Sequence, residues 1–137
     1  MNATTSEIVL DASAAVTGLL SGKGTASELI GGVASGATSA RVPDLFVAEV
    51  TNAIAMRVSV TRWPVEQAAR ALGVILAWPL GIQSCEPLAP AALETADRLG
   101  VSAYDAFYAV LAEQLELPLV TADRKLAAAV PGAVLVA

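Results

Sequence analysis

The most constraining feature of this chain is a set of short apolar runs that stop at polar or acidic residues and alternate with segments of helical spacing. Ile8-Val9-Leu10 ends on Asp11, Pro118-Leu119-Val120-Thr121 ends two residues before Asp123, and Val134-Leu135-Val136 follows a Pro-Gly turn. Runs this short suit strands buried on both faces of a parallel sheet. Between the first two, the sequence predicts a helix from Ser13 to Leu20 and a short one from Ser27 to Ile30, ended by Gly31-Gly32. A loop is expected over 36–39 and a brief strand from Ala40 to Val42. Pro43-Asp44 then opens a helix in which Leu45, Val47, Val50 and Ile54 recur at helical spacing. Pro64 announces a helix from Val65 to Trp78 that stops at Pro79, and Ile82 falls in a weak strand. Further helices are expected from Pro90 to Leu99, from Ser102 to Leu115 and, for a turn or two, from Ala122 to Val130. This alternation implies an α/β fold: a three-layer sandwich with a mainly parallel central sheet flanked by helices, as one domain over residues 1–137.

Hydrophobic residues make up 55% of the 137 and charged residues 15%, more apolar surface than a lone domain of this size needs. Part of it is expected to face another chain. A membrane span is not expected: the longest uncharged stretch, Ala71 to Cys85, is interrupted by Gly73, Pro79 and Gly81, whereas a span needs roughly 20 mainly apolar residues in one helix. No Lys or Arg precedes the first apolar run, and Asp11 ends it, so a secretory or transit segment is not expected and the cytosol is the expected compartment. Cys85 is the sole cysteine, which excludes an intrachain disulfide and reads as a buried small hydrophobe. With no histidine, His-based zinc sites and Ser-His-Asp catalysis are excluded, so any hydrolysis must use carboxylates. A net charge of −5 argues against a protein that coats nucleic acid by positive charge alone.

The carboxylates fall at informative places. Asp11 and Asp123 follow strands, where open parallel sheets collect functional groups. Asp105 lies three residues after Ser102, so Ser102 is placed to cap a helix whose first turn carries Asp105. Glu49 lies in a strongly apolar helix near Phe46, Ala53 and Ile54, where a charge needs a reason. Clustered carboxylates repel one another unless a divalent cation sits between them, and Mg²⁺ and Mn²⁺ prefer oxygen ligands with water.

Four blocks in order carry a resemblance: Ile8-Val9-Leu10-Asp11-Ala12-Ser13; Pro43 through Glu49-Val50-Thr51-Asn52-Ala53; Tyr104-Asp105-Ala106-Phe107-Tyr108; and Leu117-Pro118-Leu119-Val120-Thr121-Ala122-Asp123-Arg124-Lys125-Leu126. Together they resemble PIN-domain nucleases, and more narrowly VapC toxins, over nearly the whole chain. The resemblance implies a metal-dependent endoribonuclease, the toxic half of a type II toxin–antitoxin pair, that hydrolyses RNA with metal-activated water. It implies Mg²⁺ or Mn²⁺ held by Asp11 and Asp105, with Asp123 a direct or water-mediated ligand and Glu49 a ligand or water-orienting acid. Ser13 and Thr121 are then hydroxyls that orient the acids. Implied partners are a cognate antitoxin protein, an RNA substrate and a second copy in a homodimer or toxin–antitoxin hetero-oligomer.

Each residue also has a plainer reading. Asp11 and Asp123 serve equally as helix caps, Ser13 and Thr121 more often cap than act, and Glu49 alone reads as a solvated helix residue. Tyr104, Phe107 and Tyr108 suit base stacking or, at helical spacing, the core, with Phe107 favoured for the core. Arg57, Arg62, Arg124 and Lys125 are phosphate-binding candidates or solvated surface. Trp63 and Trp78 flank an apolar helix as packing or interface residues. The alternative functions are a housekeeping RNA-processing nuclease with no antitoxin and, from another class, a non-catalytic interaction module or a phosphoreceiver. A receiver needs an acidic pair after the first strand and a central phosphoacceptor aspartate, and neither is visible.

Overall fold

The computed structural model describes residues 6–137. Five strands, β1 Ser6–Leu10, β2 Thr38–Pro43, β3 Leu80–Gln83, β4 Leu119–Thr121 and β5 Val134–Leu135, form one sheet in the order β3-β2-β1-β4-β5, and every pairing is parallel. Among the described residues seven helices surround it: α1 Ala12–Ser21, α2 Gly24–Ser35, α3 Leu45–Thr61, α4 Val65–Leu76, α5 Ala89–Leu99, α6 Ala103–Leu115 and α7 Arg124–Ala129. The expected α/β sandwich is therefore present, with a sheet that is parallel throughout. A 3-10 turn at Glu86–Leu88 leads into α5.

The core explains the order of the strands. Val9, Leu10, Val42 and Leu119 have essentially no exposed surface, because a parallel sheet is covered on both faces. Helix α1 packs on α2 and α3, α3 packs on α4, and α5 pairs with α6, which also covers β1 and β2. At Gly18, a Cβ would stand 2.5 Å from the Ala26 carbonyl oxygen, so the α1–α2 crossing requires glycine there.

Three expectations about elements are corrected. Helix α2 runs through Gly31-Gly32 and ends at Gly36, which takes the left-handed conformation with φ of 82°. Ala26, Ile30 and Val33 form a buried stripe whose packing outweighs the two glycines, and Gly32 lies so close to Thr38 that a Cβ would meet its Oγ1 at 2.8 Å. Thr38 and Ser39 belong to β2, and Pro43 ends that strand rather than opening α3. The inward stripe of α3 is Phe46, Val50 and Ile54, while Val47 is exposed. Cys85 is only partly buried, and Asp44 spends its side chain on the Cys85 backbone N–H (3.2 Å) instead of capping α3. Burial, followed by the neighbouring Asp44, raises the Cys85 thiol above its ordinary range.

Candidate active site

Strand β1 has β2 on one side and β4 on the other, so the chain order reverses between β1 and β4. Side chains beyond the carboxyl ends of those two strands meet at this switch point. Asp11 directly follows β1, and Asp123 lies two residues past β4.

Asp11 is 5% exposed and stands at the N-cap position of α1, yet makes no capping hydrogen bond. Its Oδ2 instead accepts from Ser13 Oγ and Thr121 Oγ1, at 2.5 and 2.7 Å. The two hydroxyls lie 3.1 Å apart; Ser13 Oγ also accepts from the Ala122 backbone N–H and Thr121 Oγ1 from that of Asp123, each at 3.0 Å. Thr121 has no exposed surface. These hydroxyls therefore tie the ends of β1 and β4 together through Asp11, and neither caps α1.

Of the other acids, Asp105 and Glu49 lie on helices and Asp123 is the N-cap residue of α7. Asp105 is in the first turn of α6, where its backbone N–H donates to Ser102 Oγ at 3.1 Å, the cap expected from the spacing. Asp123 does cap: Oδ1 accepts from the Lys125 and Leu126 backbone N–H groups at 2.9 and 3.1 Å. Glu49 lies on α3 one turn after the buried Phe46, and its Oε1 is buried without a hydrogen-bond partner, so it is not a solvated helix residue. The four carboxylates act on one another in a ring: Asp11 with Asp123, Glu49 with Asp11 and Asp105, and Asp105 with Asp11 and Asp123.

Burial, the largest influence, raises the Asp11, Glu49 and Asp105 carboxyls above their ordinary values of 3.8 and 4.5, and neighbouring acids add to it. At these positions the folded protein binds protons more tightly than the unfolded chain, so protonation favours folding. Metal-free protein should thus grow more stable as pH falls from neutrality through the raised values, levelling off near the ordinary ones. Melting in EDTA between pH 7.5 and 4.5 checks this; a melting temperature that falls steadily on acidification contradicts it.

The donor set suits a hard divalent cation, since it offers only carboxylate oxygens and leaves Glu49 Oε1 unpaired in a buried position. Among the described residues no three His, Cys, Asp or Glu side chains stand close enough to enclose an ion as they lie. Mg²⁺ keeps several waters and takes one or two carboxylates, so it does not require such a cluster. A cavity of about 390 Å³ lined by Thr95, Arg98, Ala112, Glu113, Leu119 and neighbours shares no residue with the acids.

Among the aromatic candidates, Tyr104 is 67% exposed, Phe107 is partly buried against the core, and Tyr108 is fully buried. The Tyr108 hydroxyl lies against the Glu49 carboxylate, a contact that its core-like helical spacing did not reveal. Arg57, Arg62, Arg124 and Lys125 are exposed. Trp78 is buried, and Trp63 is partly buried with its Nε1–H donating to Gln67 Oε1 at 3.1 Å. Among the described residues no helix is long and apolar enough to cross a membrane.

Known proteins share this fold. The PIN-domain family model matches residues 8–130. Ribonuclease VapC1 of Mycobacterium tuberculosis, in two strains, is 38% identical over 128 residues, which are 92% of this chain and 92% of the relative. The crystal structure of PAE2754 from Pyrobaculum aerophilum superimposes with a TM-score of 0.77 at 27% identity, covering 95% of this chain and 83% of that one. VapBC2 from Rickettsia felis, bound to a DNA fragment from their promoter, shares the fold with a TM-score of 0.66 at 16% identity over 94% of this chain and 96% of that one. From the extent of these matches, and from the acids at the β1–β4 switch point, this chain belongs to the PIN-domain family as a VapC-type member.

Proposed function

We propose that this protein is a metal-dependent endoribonuclease that acts as the toxin of a toxin–antitoxin pair. The observation that carries the reading is the state of Asp11: a buried carboxylate that caps no helix, is held by two hydroxyls on one oxygen, and faces three further acids. Asp11 and Asp105 are the proposed main metal ligands, Asp123 contributes directly or through water with the oxygen not used in its cap, and Glu49 binds the metal or orients water. A bound Mg²⁺ or Mn²⁺ would supply an acidified water and charge stabilisation for phosphodiester hydrolysis. The chain's own part is positional. Ser13 and Thr121 fix the rotamer of Asp11, the Ser102 cap fixes the first turn that carries Asp105, and β4 carries Asp123 to the end of β1.

The proposed protein partner is an antitoxin, which the identity to ribonuclease VapC1 favours over a housekeeping role. Exposed apolar side chains on α3 and α4, among them Met56, Val60, Val65, Val74 and Leu76, offer it, or a second copy of this chain, a surface to cover. An antitoxin arginine directed among the four carboxylates would compete with the cation through paired charge-assisted hydrogen bonds. The protein is proposed to work in the cytoplasm as a single PIN domain.

Purified protein incubated with a structured RNA pool should cleave in Mg²⁺ or Mn²⁺, stop in EDTA, and recover when the cation is restored. Absence of cleavage at any cation concentration, together with no thermal shift on adding the cation, would assign the chain to the non-catalytic alternative.

A further inference from the structure

Two buried side-chain atoms among the described residues lack a hydrogen-bond partner, Glu49 Oε1 and the Tyr108 hydroxyl. The phenol lies beside the Glu49 carboxylate, with the Ala12 backbone N–H also close. Tyr108 has no exposed surface, and a phenylalanine would fill the same space without burying an unpaired hydroxyl. A core position that keeps a costly hydroxyl aimed at an acid of the site calls for a reason beyond packing.

The helix supplies the geometry. Asp105 and Tyr108 are three residues apart on α6 and so share one face, with Asp105 at the exposed first turn and Tyr108 deeper. Glu49, coming from α3, interacts with both. A carboxylate only accepts, so toward Glu49 the phenol can only donate.

We propose that Tyr108 is a positioning residue whose buried hydroxyl donates to the Glu49 carboxylate and keeps it turned toward Asp11 and Asp105. The role rests on the reading of the four acids as a metal site. Tyr108 touches neither the RNA nor the reacting atoms; it acts through Glu49 alone.

The test uses the intact protein with Mn²⁺ as the probe. Tyr108→Phe, Glu49→Gln and the double variant are compared by calorimetric Mn²⁺ titration, by the split of kcat and KM in RNA cleavage, and by melting in EDTA. Tyr108→Phe should melt no lower than the parent in EDTA, because the ring and its packing remain and a buried hydroxyl is removed. It should weaken Mn²⁺ binding and lower kcat by about 10-fold, the lower end of what loss of an outer-shell partner costs, with KM for RNA unchanged. In the Glu49→Gln background the same change should do nothing further. Tyr108→Leu, which removes the ring as well, should lower the melting temperature yet weaken Mn²⁺ binding no more than Phe does. Parent-like Mn²⁺ affinity and kcat in Tyr108→Phe would overturn the role of Tyr108, as would an equal loss with and without Glu49, while the metal reading stands. A parent protein that binds no Mn²⁺ and cleaves no RNA would overturn the metal reading and the role of Tyr108 with it.

Discussion

Asp11→Asn and Asp105→Asn should each abolish metal-dependent RNA cleavage while leaving a folded protein that, without metal, melts no lower than the parent. Loss of an outer-shell partner typically costs about 10–100-fold in metal affinity or activity, so loss of a ligand carboxylate should exceed that range. The stability half follows from burial: the folded state disfavours ionisation of both carboxyls, and a neutral amide of the same shape removes the charge that the neighbouring acids repel. The stabilisation by added Mg²⁺ should shrink in the same variants. Parent-like cleavage rates in both variants at matched Mg²⁺ would refute the assignment.

The second large effect is expected from Thr121→Val, which keeps the side chain's shape and deletes one hydroxyl. That hydroxyl donates to Asp11 Oδ2 at 2.7 Å and accepts from the Asp123 backbone N–H at 3.0 Å, so two acids lose a common support. Activity should fall by about 10–100-fold, as for other outer-shell partners. The loss should lie in metal affinity rather than in the chemical step, and raising Mg²⁺ should recover much of it. No such recovery is expected for Asp11→Asn. Titrating cleavage against Mg²⁺ separates the two, and a Thr121→Val enzyme with an unchanged Mg²⁺ midpoint would show that the hydroxyl does not position Asp11.

How much an amino-acid sequence reveals depends on how local the signal is. Strand ends and helix caps are written in adjacent residues, so β1 leading to Asp11 and Ser102 capping the turn of Asp105 are legible from their immediate neighbours alone. Where tertiary packing outweighs a local rule, the reading fails. Gly31-Gly32 looks like a helix stop, yet the buried stripe of Ala26, Ile30 and Val33 carries α2 past it. Single residues meet the same limit: nothing in the neighbourhood of Glu49 shows that its Oε1 turns inward, and nothing around Tyr108 shows that its hydroxyl faces an acid on another helix. The cap of Asp123 and the absence of one at Asp11 are likewise indistinguishable in sequence, because both acids follow a strand and precede a helix.

The bond between Asp11 and Thr121 spans 110 positions of sequence, and β4 pairs directly with β1. Contacts of such long separation cost loop-closure entropy and are slow to form. On the ribosome, a nascent chain that has already exposed Asp11, Glu49 and Asp105 still lacks the strand that fixes Asp11 and delivers Asp123. Until β4 has been made, the four acids therefore cannot come together as they stand in the folded chain.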